Sequence, residues 1–224
     1  MRAKRSSRPA APAIIYVHGL WLTGHEAFVL RHDLRARGFD WHTFPYASVS
    51  SSMEDTTRAL SRLIAQLDAP EVHLLGHSLG GLVIQRALHE AAPSRPGRVV
   101  FLGTPSLNSR AAHGVARLRR SAGLPLGRRI LGHAARELLN TAPRLWSVHR
   151  DLGILAGTRP ISLARAVVRF YEPNDGAVAV SETRLPGAKA HLTLPVSHTG
   201  LLFSRRVAAE VAHFFERGAF TARR

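Results

Sequence analysis

The chain has no cysteine among its 224 residues, so disulfides, thiolate metal ligands and a cysteine nucleophile are all excluded. The same absence leaves the redox compartment open. No uninterrupted apolar stretch is long enough to cross a bilayer, and there is no internal repeat or heptad run. Residues 1–12 are basic, but no apolar core of signal-peptide length follows them. They read as a disordered basic arm, and the expected location is the cytoplasm. HExxH, CxxC and carboxylate clusters are missing as well, so no metal and no cofactor is expected. Acidic residues are scarce: 15 Asp and Glu face 31 Lys and Arg, a formal net charge of +16. A field of that sign favours anionic partners. The charges, however, have no interleaved aromatic platform and no nucleic-acid reading motif. They read as an arginine-rich solvated surface, and nucleic acid is not the expected partner.

Apolar residues make up 45% of the chain, enough for one sizeable core, and residues 13–217 read as a single domain with a basic tail over 218–224. Its organising stretch is Gly76-His77-Ser78-Leu79-Gly80-Gly81. A short apolar run (Val72, Leu74, Leu75) stops at Gly76, and a helix-periodic run (Leu79, Leu82, Val83, Arg86, Ala87) begins just after Ser78. A serine in so sharp a strand-to-helix turn is the GxSxG nucleophile elbow. Gly76 and Gly80 are small because strand and helix approach closely there, and Ser78 lies at a helix N-terminus that favours developing negative charge.

Around this elbow, apolar runs alternate with amphipathic stretches. Ala13 to Val17 reads as a buried strand, 24–37 as a helix stopped by Gly38, Phe39 to Phe44 as a strand ended by Pro45-Tyr46, and Met53 to Leu67 as a helix. Strands at 98–102, 152–157 and 191–196 and a final helix over Leu201 to Glu216 follow. Such alternation implies βαβ crossovers, an α/β fold with a mostly parallel sheet covered by helices on both faces, and ligands at the carboxyl ends of the strands. The alternation fails over 106–150, which carries nine arginines and one acid, Glu137. That stretch fits two readings: a short helical cap lining an acyl pocket or touching an anionic surface, and a helical crossover with its charged face in water.

A serine hydroxyl needs a base within reach, and the base needs an acceptor to fix its tautomer. On this architecture the base hangs from the loop after the last strand, where His198 stands. His77 sits inside the elbow with its side chain directed away from the serine. Asp175, in the turn Pro173-Asn174-Asp175-Gly176, is the expected acid, because chain order Ser, Asp, His suits the fold and Asp151 lies at the wrong end of its strand. The loop His18-Gly19-Leu20-Trp21 after the first strand supplies one oxyanion donor, the amide of Leu20, and the residue after the nucleophile supplies the other, the amide of Leu79. His18, Trp21, His77 and Leu201 are the candidate pocket residues.

Ile15 to Leu20, the Gly76 to Gly81 elbow, Asn174-Asp175-Gly176 and Val196 to Ser204 together resemble the α/β-hydrolase family, specifically its small bacterial lipases and esterases, over residues 13–217. The resemblance implies a nucleophile at Ser78 with Asp175 and His198 as partners, an oxyanion hole from Leu20 and Leu79, and a carboxylic ester or lipid as substrate. The sequence departs from larger members in lacking antiparallel strands ahead of Ile14. Gly103 to Ser109 keeps only part of the GTPHxGS form of related lipases. An acyltransferase or thioesterase with the same three residues, and a non-catalytic scaffold binding an anionic partner, are the alternative readings.

Overall fold

The computed structural model describes residues 10–91, 95–107, 145–161 and 170–221. Most of the arginine-rich stretch expected as a cap, 108–144, lies outside the described residues, as do 1–9 of the expected basic arm and 222–224 of the expected tail.

The frame is a six-stranded sheet in the order β2-β1-β3-β4-β5-β6, formed by β1 (Ala13–Val17), β2 (Asp40–Thr43), β3 (Val72–His77), β4 (Val99–Leu102), β5 (Leu152–Gly157) and β6 (Ala190–Leu194). Every neighbouring pair is parallel. A parallel sheet is covered on both faces, and its four inner strands, β1, β3, β4 and β5, are buried along their whole length, while the edge strands β2 and β6 are partly exposed. In β1 all five residues are buried, Ile15 and Val17 facing one core and Ile14 and Tyr16 the other.

The first core packs α2 (Met53–Gln66) and α3 (Leu79–Glu90) on the sheet through Leu60, Ile64, Val83 and Ala87. The second packs α1 (Phe28–Ala36) and α6 (Arg205–Arg217) on the other face through Leu30, Leu34, Val207, Val211 and Phe214. The helix-period apolar positions 207, 208, 211, 214 and 215 are all buried, so the periodicity of the last segment states its buried face directly. Two short helices, α4 (Val180–Thr183) and α5 (Gly200–Phe203), lie in the connections near the carboxyl ends of β5 and β6.

Several boundaries differ from the sequence reading: the helix expected over 24–37 is a 3-10 turn over His25–Ala27 followed by α1 from Phe28, the strand expected over Phe39 to Phe44 spans Asp40–Thr43, and the last strand ends at Leu194. Two further differences have a clear local cause. β3 does not stop before Gly76 but runs through His77, pairing Gly76 with Val17 and Phe101. Lacking a Cβ, Gly76 can stay in the ladder while α3 lies on top of it. The final helix is not continuous from Leu201: Ser204 is extended (φ −93°, ψ 117°) and its Oγ accepts the Val207 amide at 3.3 Å, so it caps a new helix. Serine at that position is an ordinary N-cap. At the far end, Phe220 packs on the second core and the Thr221 amide donates to Glu210 at 2.8 Å.

Candidate active site

Ser78 is the N-cap of α3 with φ 53° and ψ −120°, a backbone conformation that costs a non-glycine residue about 1–3 kcal/mol. The surroundings leave it no alternative. A Cβ on Gly80 would lie 2.0 Å from the Val17 carbonyl oxygen and 2.6 Å from that of His18, and one on Gly76 would lie 2.6 Å from the Gly81 Cα. The first turn of α3 is thus pressed between the ends of β1 and β3. The Ser78 amide is tied to the Leu102 carbonyl at 2.9 Å and its own carbonyl accepts the Gly81 amide at 3.1 Å. Its side chain caps nothing.

Asp175 and His198 come from two loops that cross the carboxyl edge of β5 and β6. The Asp175 carboxylate is almost wholly buried, at 1% exposure. Its Oδ1 accepts the amides of Ala177 (2.9 Å) and Val178 (2.7 Å), and Oδ2 accepts Nδ1–H of His198 at 2.7 Å. Burial by itself would push this carboxyl up. The adjacent His198 and the two amides outweigh it and hold the group below the usual aspartate value. An ionised Asp175 fixes the Nδ1–H tautomer of His198 and leaves Nε2 as the free acceptor.

His77 packs against this pair. Its ring lies 4.8 Å from that of His198, and its Nε2–H donates to the His198 carbonyl at 3.2 Å. His77 is buried, which together with the proximity of His198 lowers its pKa to about 3, so it is neutral at ordinary pH. Nδ1 of His77 is buried without a hydrogen-bond partner. Asp151 instead stands just before β5, bound to Lys189 at 2.7 Å at the opposite end of the sheet.

Gly19 brings the loop after β1 against the serine: a Cβ on it would lie 3.2 Å from the Ser78 Cβ and 3.1 Å from His77 Nδ1. The structure therefore brings Ser78, the Leu20 loop, Leu79, His77, His198 and Asp175 to one edge. Neither the Leu20 nor the Leu79 amide donates a hydrogen bond among the described residues. The four pocket candidates divide. Trp21 is 61% exposed at the rim, whereas His18, His77 and Leu201 are buried; Leu201 belongs to the second core, packed below Gly103.

Two neighbours of this edge escaped sequence reading. Tyr46 stacks on His18 and donates to its carbonyl, and Ser48 accepts the Trp21 amide. In sequence, Pro45-Tyr46 marks only the end of a strand, and no local pattern ties its hydroxyl to a carbonyl 28 positions earlier. The described residues hold no group of three or more His, Asp or Glu arranged for a metal ion, and no helix among them is long and apolar enough to cross a membrane.

Residues 14–216 match a family model described as the alpha/beta hydrolase family. Among solved structures the chain is similar to the mature lipase BlEst2 of Bacillus licheniformis, with 26% identity over 87% of this chain and 88% of that one, at a TM-score of 0.68. It is also similar to the metagenomic carboxyl esterase MGS0156 (19% identity, 86% and 68% covered, TM-score 0.63). The carboxylesterase CesB of Bacillus subtilis is a third (16% identity, 93% and 84% covered, TM-score 0.58). At their identities the last two show the shared fold alone. No curated protein matches the chain.

Proposed function

The chain belongs to the alpha/beta hydrolase family, and from that premise we propose that it cleaves carboxylic esters through an acyl-enzyme on Ser78. The observation that carries the reading is the Asp175–His198 pair, hydrogen-bonded at 2.7 Å beside the strained serine turn. In the first step Ser78 Oγ attacks the ester carbonyl while His198 Nε2 takes its proton. The Asp175 carboxylate stabilises the imidazolium that forms.

The negative charge on the tetrahedral oxygen falls to the amides of Leu20 and Leu79, one from the loop after β1 and one from the first turn of α3. Collapse expels the alcohol, which takes the proton back from His198. Water then attacks the acyl-enzyme with His198 again as base, releasing the acid and restoring Ser78. Oxyanion donors fixed in advance on the backbone do not have to reorient during the reaction, which is why they contribute more than the same groups in water.

The test is hydrolysis of p-nitrophenyl esters from short to long acyl chains by the purified protein and by Ser78→Ala. Turnover that disappears in Ser78→Ala is the expected result, and the preferred chain length separates an esterase from a lipase. Undiminished turnover in Ser78→Ala would remove the assignment. Product analysis with added alcohol or thiol decides whether water is the natural acceptor.

A further inference from the structure

The Leu20 amide can act on an oxyanion only if its peptide plane is held at one angle, and the structure shows what holds it. Peptide units are rigid planes in which N–H and C=O point opposite ways. The Leu20 N–H therefore shares its plane with the Gly19 carbonyl. That carbonyl accepts two hydrogen bonds, from His18 Nδ1 at 2.9 Å and from the Leu22 amide at 3.3 Å. The His18 ring that supplies the first is itself stacked on Tyr46, with centroids 4.4 Å apart and planes 22° from parallel.

The planes on either side are held as well. The one before carries the His18 carbonyl, which accepts the Tyr46 hydroxyl at 2.7 Å. The one after carries the Trp21 amide, which donates to the buried Ser48 Oγ at 3.0 Å. Trp21 sits at φ 61°, in a turn position where glycine or asparagine is usual. A loop containing such a residue relaxes unless it is held from outside, and Tyr46 and Ser48 supply that hold.

We propose that Tyr46, acting through both the carbonyl and the imidazole of His18, together with Ser48, is a positioning residue that sets the direction of the Leu20 amide and so the rate of the chemical step. The proposal rests on the reading of Ser78 as nucleophile. It also gives His18 a role other than pocket lining: its ring is part of the support beneath the oxyanion donor.

The experiment compares wild type, Tyr46→Phe, Tyr46→Leu and Ser48→Ala on a p-nitrophenyl ester. It measures kcat and KM, inhibition by a trifluoromethyl ketone whose adduct carries an oxyanion, and Tm. Loss of a whole oxyanion donor costs on the order of 10²–10³ in turnover, so misdirection of one is expected to lower kcat about tenfold in Tyr46→Phe and Ser48→Ala. Tyr46→Leu, which also loses the stack, should fall further. KM should stay unchanged and the ketone should weaken in proportion to kcat/KM. A raised KM at constant kcat, or unchanged ketone inhibition, would overturn the proposal. If Tyr46→Leu does not fold, the two conservative variants decide alone. Should wild type show neither turnover nor labelling of Ser78 by a fluorophosphonate, the nucleophile reading itself fails; wild-type turnover with unaffected variants defeats this proposal only.

Discussion

Asp175 holds His198 at two points: its Oδ2 accepts the ring Nδ1–H at 2.7 Å, and its backbone carbonyl accepts the His198 amide at 2.9 Å. The second bond fixes where the base sits, independently of its tautomer. Replacing the carboxylate alone should therefore leave the loop in place while removing the charge.

Asp175→Asn is accordingly expected to fold and to lose on the order of 10⁴ in kcat, since the amide favours the wrong tautomer and does not stabilise an imidazolium. The variant should also change acid stability. Because the folded carboxyl titrates below its unfolded value, its contribution is present above the unfolded pKa and disappears as pH falls through the folded one. Urea unfolding of Asp175→Asn should show a shallower loss of stability in that acid range than wild type.

Ser78→Gly tests the strain in the turn. Glycine accepts φ 53° without penalty, so this variant should be inactive yet more stable than wild type by about 1 kcal/mol. A Tm that stays level or falls would show that the serine is not strained.

Gly80→Ala tests the close approach of α3 to β1. The added methyl would meet backbone oxygens of Val17 and His18, atoms that move only if a strand end moves. A cost of about 1–3 kcal/mol, read from urea unfolding, is expected, together with loss of turnover, because the displaced carbonyl of His18 belongs to the oxyanion loop.

Two buried histidines, His73 and His77, and the partly buried His191 contribute to the pH dependence of stability. Burial, with the field of Arg98 and Arg150, lowers His73 to about 3; burial and His198 lower His77 to about 3; burial and Arg184 lower His191 to about 4. Below the ordinary histidine pKa the unfolded chain takes up protons that these three folded groups refuse, so their contribution is expected to lower stability as pH drops from about 6.5. Urea unfolding at pH 7 and pH 5 should show that loss, and equal stabilities at the two pH values would contradict it.

Much of this molecule could be read without coordinates because its determinants are local. The β-branched run Ile14-Ile15-Tyr16-Val17, the periodicity of 207 to 215 and the glycines around Ser78 state strand, helix and turn by their own spacing. Chain order on a parallel sheet then places Asp175 and His198 at the same edge as Ser78. Where local reading stopped short, a neighbour distant in sequence decided. Gly76 and His77 remain in the ladder because β1 and β4 pair with them; the break at Ser204 is instead a local cap, between the apolar Leu201-Leu202-Phe203 and Arg205-Arg206, that the helix periodicity alone does not mark.

The sequence alone therefore determined the alternation of elements and the serine turn, since both follow from composition and spacing along the chain, and it pointed to Asp175 and His198 through the chain order of the family it resembles. The tertiary structure decided how those groups are held. The stacking of Tyr46 on His18, the acceptor that Ser48 offers to Trp21 and the tie from His77 to the His198 carbonyl join residues 27 to 121 positions apart. Such contacts leave no periodic trace, because they depend on where folded elements meet rather than on which residues adjoin.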